Sequence, residues 1–302
     1  MTQSRLTFTV AGTQLVGNLF SPPGDAQPVA RAILTGPLTS VKEQSAGIYA
    51  AALADRGYET LAFDHRTFGE SGGEPRQFEN PFAKIEDIRA AVTALEERGR
   101  DDLPMFAVGV CMGGGYMARA AVEDDRFDGF AGIAGVYVEK APGAETSASV
   151  LRGQAAEKKY RETGVADSIP AVGPDGGDIA MPLREAYEYY GTPRGAVPNY
   201  TNDFAVQSFA YTGTFDALGA APLIKVPAIV IHSEKAMIPE LAHRFVAGLK
   251  APHEEHWLQS QGQIDFYDDP RLIDPACDAI VSFFAKTVEP VVTALPNPSA
   301  SF

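Results

Sequence analysis

Two hydrophobic periods follow each other in turn along this chain. Apolar runs such as ARAILTG (30–36), YETLAFD (58–64), MFAVGV (105–110) and FDGFAGIAGVYV (127–138) are typical of buried strands. Between them, apolar residues recur three and four positions apart over 45–57 and 81–99, which predicts amphipathic helices. The first segment, RLTFTVAGTQLVGNLFSP, predicts a hairpin of two strands that turns at AGT. Strands that alternate with helices predict an α/β domain with a mostly parallel sheet.

This alternation stops over residues 139–222, where helix-like pieces are joined by loops rich in Gly, Pro and Asn. It resumes with the apolar run of KVPAIVIHSE. Long insertions of this kind are usually functional, so we predict a helical lid over 139–222 and a core made of 1–138 and 223–288. Residues 289–302 are predicted to form a flexible tail. A dinucleotide-binding Rossmann fold is the alternative, but LTGPLTSVKEQ lacks its G-x-G-x-x-G motif.

Composition narrows the classes of partner. The 302 residues include 39 Asp and Glu against 25 Lys and Arg, a formal charge of −14, which argues against nucleic acid and anionic membranes. There is no signal-peptide pattern and no apolar run of about 20 residues, so we expect a cytoplasmic protein. Histidine spacing and motifs predict neither a metal nor a cofactor. A small-molecule substrate is the expected partner, and a homodimer is compatible with the sequence.

The stretch VGVCMGGG (108–115) carries the candidate chemistry, because it joins a buried strand to a helix. Gly109 and Gly113 flank Cys111 in a G-x-C-x-G pattern, which matches a nucleophile elbow with cysteine in place of serine. We expect the N–H of Met112 to form part of an oxyanion hole. The dipole of the following helix is expected to favour the thiolate of Cys111.

Two loops flank this elbow in the predicted sheet. The one after AILTG should supply a second oxyanion donor, and since Pro37 has no N–H, either Leu38 or Thr39 is the candidate. The other, DHRTFGESGG, contains His65, which either has a structural role or faces the site.

These features resemble the α/β-hydrolase superfamily. The resemblance rests on the elbow GVCMGG, the loop DHRTFGESGG and the predicted lid. The stretch 36–81 and the motif IDFYDDP are similar to a branch that holds dienelactone-hydrolase-like proteins and polyketide acyltransferases or thiohydrolases. The resemblance implies an acid after the strand that follows the lid, which maps onto Glu234, and a histidine after the last strand. Gln263 stands at that histidine position, in SQGQIDFYD. Glutamine cannot take up a proton at neutral pH, so the triad is atypical.

The predicted function is attack by Cys111 on an ester, thioester or lactone carbonyl of a small, moderately apolar molecule. A non-hydrolytic acyltransferase, C–C lyase or cyclase is the first alternative, and a catalytically silent ligand-binding protein is the second. The candidate substrate contacts are aromatic side chains of the lid and one strand-end histidine: Tyr187, Tyr190, Tyr200, Phe204 and His232.

Overall fold

The computed structural model describes residues 1–100, 102–174 and 176–287, so the predicted tail (289–302) lies outside the described residues. The strands are β1 (Thr2–Val10), β2 (Thr13–Ser21), β3 (Ala30–Thr35), β4 (Tyr58–Asp64), β5 (Met105–Val110), β6 (Gly129–Ile133), β7 (Ser168–Ile169), β8 (Phe204–Ala205), β9 (Ala228–His232) and β10 (His253–Trp257). The α-helices are α1 (Ser45–Asp55), α2 (Pro81–Glu96), α3 (Met112–Glu123), α4 (Ala148–Thr163), α5 (Arg184–Tyr190), α6 (Phe209–Thr212), α7 (Pro239–Gly248), α8 (Asp265–Asp268) and α9 (Pro270–Thr287).

The main sheet has the order β1-β2-β4-β3-β5-β6-β9-β10. β2 pairs antiparallel with both β1 and β4. The remaining neighbours in this order, from β4 to β10, pair parallel. The hairpin and the mostly parallel sheet predicted from the pattern are therefore confirmed. β5 is at the centre of this sheet, and Cys111 follows its carboxyl end, where α/β proteins bind ligands.

Helices cover both faces of the sheet and bury its apolar runs. On one face, Phe284 of α9 stacks on Phe106 of β5, with ring centroids 3.9 Å apart. On the other face, Phe245 of α7 stacks on Tyr137 at 3.8 Å. Each contact joins segments far apart in sequence, so the two apolar layers hold the carboxyl edge of the sheet in one geometry.

The strand in the region 127–138 is shorter than predicted, since β6 spans only Gly129–Ile133. Ala134 takes a left-handed backbone conformation with φ 41° and leaves the sheet. Its N–H still donates to Ile231, but the N–H of Val136 donates to the carbonyl of Cys111. The chain therefore bends over the elbow at the point where the apolar run predicted a continuing strand.

The segment 139–222 lies between β6 and β9 and contains α4, α5, α6 and the antiparallel pair β7–β8. Phe204 and Ile169 belong to a small apolar cluster of its own. Tyr190 belongs to the main core, and Met181 packs against both the main core and this small cluster. Within the described residues, no helix combines the length and apolar character needed to cross a membrane.

Candidate active site

Cys111 forms a strained turn between β5 and α3, with φ 57° and ψ −124°. This left-handed conformation is unfavourable for a residue with a side chain, and such strain is concentrated at functional sites. A Cβ atom at Gly109 would collide with the backbone of Gly113, and one at Gly113 would collide with the carbonyl of Thr35. Glycine is therefore required on both sides of the cysteine by close backbone approach.

Four hydrogen-bond donors surround the sulfur of Cys111. They are the backbone N–H groups of Leu38 and Met112, the side-chain amide of Gln263 and the hydroxyl of Tyr267. Leu38 belongs to the loop after β3, and Met112 is the first residue of α3. Every one of these groups favours negative charge at or beside the sulfur.

A buried carboxylate distinguishes between the two candidate oxyanion donors of the first loop. Thr39 has φ 62°, and its N–H donates to Glu79 Oε2 at 3.0 Å. Glu79 is fully buried, and its other oxygen accepts from the hydroxyl of Tyr116 at 2.8 Å and pairs with Lys84. The N–H of Thr39 is thus already engaged, and the N–H of Leu38 is left to face Cys111.

Cys111 is only 7% exposed, and this burial raises the pKa of its thiol. The four donors act in the opposite direction, but desolvation of the charged sulfur is the larger effect. Burial therefore opposes the effect that we expect from the dipole of α3. The net effect favours the thiol form of Cys111 over the thiolate.

Gln263 stands beside Cys111 and is held by neighbours on three sides. Its Oε1 accepts from the N–H of Met237 at 2.9 Å, and its Nε2 donates to the carbonyl of Ala134 at 2.8 Å. Its backbone N–H donates to Glu185 Oε2 at 3.0 Å. The residue is 2% exposed. Because the amide nitrogen has no basic lone pair, Gln263 can orient a reacting group but cannot accept the thiol proton.

The other two candidate catalytic residues lie apart from the sulfur. The side chain of Glu234 is 67% exposed and pairs with His243 Nε2 at 2.9 Å on the surface. The loop after β9 instead presents the N–H of Met237 to Gln263. His65 is buried, with its Nδ1 3.3 Å from Asp87 and its ring against Phe63. Glu234 therefore lies on the surface, and His65 has the structural role that was one of its two predicted alternatives.

An apolar cavity of about 230 Å³ opens beside Cys111. Met181, Leu183 and Ala186 line it from the inserted segment, and Val136 and Ile264 line it from the core. Its volume is below the roughly 300–1,000 Å³ of pockets for drug-sized ligands, so it suits a short acyl group.

Of the five predicted substrate contacts, Tyr190 lines this cavity. Tyr200 stacks on its ring, with centroids 5.1 Å apart, and forms a layer behind it. Tyr187 is half-buried against the main core, and Phe204 is buried with Phe209 in the separate cluster of the inserted segment. His232 is buried, with its Nδ1 3.0 Å from the carbonyl of Ser233. For these four, packing explains the position of the side chain.

Two residues at the site were missed by the sequence reasoning. Tyr267 lies four positions after Gln263, a spacing that places two side chains on the same side of a helical turn. That spacing in QIDFYDDP (263–270) could have indicated it. Glu185, at the start of α5, contacts Gln263 from the inserted segment, and no local signal in the sequence predicts that contact.

Known proteins resemble both the sequence and the fold. The Escherichia coli K12 protein YcjY is 27% identical over 95% of this chain and 100% of its own length. The crystal structure of Pseudomonas aeruginosa PA2218 superposes with a TM-score of 0.80 and 27% identity, over 95% of this chain and 94% of that one. The thiohydrolase aneE of Aspergillus aculeatus is 36% identical over a shorter stretch, 41% of this chain and 39% of its own.

The family model described as Serine aminopeptidase, S33, matches residues 43–256, which include the elbow and β9. The sheet order, the turn at Cys111 and the fold of the structural relatives agree with that match. The chain therefore has the α/β-hydrolase fold and belongs to the Serine aminopeptidase, S33, family of hydrolases.

Proposed function

We propose that this protein transfers acyl groups through Cys111, which attacks the carbonyl carbon of a small, moderately apolar thioester, ester or lactone. The observation that carries the proposal is the position of the sulfur. It stands in a strained elbow at the head of an apolar cavity, beside the N–H groups of Leu38 and Met112. These two donors would hold the carbonyl oxygen as it becomes negative.

The fate of the thiol proton favours a thioester among the three substrates. In the exchange, the Cys111 sulfur bonds to the carbonyl carbon, the bond from that carbon to the leaving sulfur breaks, and the proton ends on the leaving thiolate. Tyr267, whose hydroxyl contacts the Cys111 sulfur, can relay it by accepting one proton and donating its own. No net proton acceptor is then needed.

Ester exchange is less favourable at this site, because an alkoxide is a far poorer leaving group than a thiolate, whose parent thiol has a pKa of about 8.5. The thiohydrolase name of aneE also supports thioester chemistry. Water attack on the acyl-enzyme would lack a histidine to activate it, because Gln263 stands beside the sulfur. Transfer of the acyl group to a second thiol or amine is therefore faster than hydrolysis.

The test is detection of an acyl group on Cys111. The protein is incubated with a hexanoyl thioester of N-acetylcysteamine, and the peptide that contains Cys111 is analysed by mass spectrometry. We expect acylation of the native protein and its loss in Cys111→Ala. Cys111→Ser should also fail, because a hydroxyl gives up its proton far less readily than a thiol.

Cys277 provides the matched control. It is fully buried on α9, and burial raises the pKa of its thiol to about 12. Cys277→Ala should therefore acylate like the native protein. Acylation that persists in Cys111→Ala would contradict the proposal.

A second candidate function is ligand binding without turnover. The raised pKa of the Cys111 thiol and the fully engaged side chain of Gln263 favour it. Tight binding of a hexanoyl amide with no acyl adduct on the native protein would decide for this function.

A further inference from the structure

Tyr190 carries an unpaired polar group at the cavity. Its side chain lines the cavity and is 5% exposed, and its buried hydroxyl has no hydrogen-bond partner among the described residues. A buried hydroxyl without a partner destabilises a protein, so such a group calls for an explanation. A ligand atom that accepts a hydrogen bond would supply it.

The ring of Tyr190 is fixed by its neighbours. It stacks on Tyr200 with centroids 5.1 Å apart, and its edge meets Tyr189 at 4.8 Å and Tyr267 at 6.4 Å. Burial raises the pKa of Tyr190 well above its ordinary value, so the hydroxyl keeps its proton at neutral pH. The group is therefore a rigid donor that cannot turn away to solvent.

Tyr190 and Cys111 both line this cavity, so a ligand that fills it contacts both side chains. The hydroxyl of Tyr267 already contacts the sulfur, and the side chain of Gln263 is bound to backbone groups. The other side chains named above as lining the cavity, such as Met181 and Val136, are apolar. Tyr190 is thus a donor available to a part of the substrate other than the reacting carbonyl.

We propose that Tyr190 donates a hydrogen bond to a second oxygen of the substrate, so that the site selects short acyl groups with a keto or hydroxyl oxygen on an otherwise apolar chain. This inference rests on the proposed function, because it assumes that the acyl group occupies the cavity beside Cys111. Selectivity arises because an unsubstituted chain would leave the hydroxyl unpaired, while an oxygenated chain satisfies it.

The experiment compares hexanoyl thioesters of N-acetylcysteamine that are unsubstituted, or that carry a keto or hydroxyl oxygen at C3 or at C5. The rate of Cys111 acylation is measured for the native protein, for Tyr190→Phe and for Tyr187→Phe. Tyr187 is the matched control, because it lies on the same helix but packs half-buried against the main core.

We expect Tyr190→Phe to lower kcat/KM about tenfold for the preferred oxygenated thioester, the factor that corresponds to about 1.4 kcal/mol. The ratio of kcat/KM for the oxygenated thioester to that for the unsubstituted one should fall by a similar factor, since the unsubstituted chain has no oxygen to accept from the hydroxyl. Tyr187→Phe should not alter the preference. Equal effects of Tyr190→Phe on all five thioesters would overturn the proposal.

Binding separates a failure of this inference from a failure of the proposed function. If no thioester acylates the native protein, the affinities of the corresponding amides are measured by calorimetry. A preference for an oxygenated amide that Tyr190→Phe abolishes would support the Tyr190 contact without acyl transfer. Acylation of the native protein with no such preference would refute the contact and keep the function.

Discussion

Replacing Gln263 with histidine tests whether the site is a triad that lacks only its base. In the native protein, Gln263 accepts from the N–H of Met237 at 2.9 Å and donates to the carbonyl of Ala134 at 2.8 Å. A neutral imidazole has one acceptor and one donor nitrogen. The tautomer that satisfies both neighbours therefore keeps no lone pair for the proton of Cys111, and we expect little gain.

The magnitude can be worked from these contacts. Turning the imidazole lone pair towards the sulfur would leave a buried backbone group without its hydrogen bond, which costs about 1–3 kcal/mol. This cost lowers the fraction of molecules with a correctly oriented imidazole roughly 10- to 100-fold. A histidine without its orienting carboxylate loses about 10⁴ in kcat, and here Glu234 is on the surface. A triad histidine contributes about 10⁶. Dividing that contribution by the two losses leaves a gain in kcat of about tenfold at most.

The assay is steady-state hydrolysis of p-nitrophenyl acetate from pH 5 to 9 by the native protein and by Gln263→His. Gln263→Leu is the control, since it has a similar volume and no titratable group, and thermal unfolding checks that all three proteins are folded. A rise of more than 100-fold in Gln263→His, with a new kinetic pKa near that of histidine, would refute the reasoning. It would mean that the pocket can orient an imidazole without a carboxylate.

Three further predictions use other parts of the structure. The rate of alkylation of Cys111 by iodoacetamide should be low at pH 7 and should still increase above pH 8.5, because burial raises the pKa of the thiol and only the thiolate reacts. Tyr267→Phe removes a donor and should move the pH profile of the rate to still higher pH, whereas a plateau below pH 8 would contradict this prediction. Glu79→Gln should lower kcat for thioester exchange about 10- to 100-fold with little change in KM, because a weaker hydrogen bond to the N–H of Thr39 loosens the loop that carries the Leu38 N–H. An equal rise in KM would instead indicate a defect in substrate binding. Phe284→Ala should lower the free energy of unfolding by about 3–5 kcal/mol in urea titration, because it removes the ring that stacks on Phe106 and leaves a cavity in the core. A loss below 1 kcal/mol would show that the surrounding core closes that cavity.

Much of the fold could be predicted from the sequence because the signals are local. The apolar runs predicted β4 at Tyr58–Asp64 and β5 at Met105–Val110, the bounds found in the structure. Two glycines around Cys111 predicted the sharp turn, since only a residue without a side chain tolerates the backbone approach found there. Periodicity and backbone sterics act over a few residues, so a single sequence contains them.

The partners of each site residue were decided by tertiary structure alone. Glu234 and Met237 belong to one short loop, yet only Met237 meets Gln263, because the direction of each group depends on how that loop packs on the core. Glu185 reaches the same glutamine from a distant segment. The pKa of Cys111 likewise depends on how completely the neighbours exclude water. Burial and long-range contacts are properties of the packed molecule, so the sequence indicated Cys111 as the candidate nucleophile, and only the fold determined the groups that surround it.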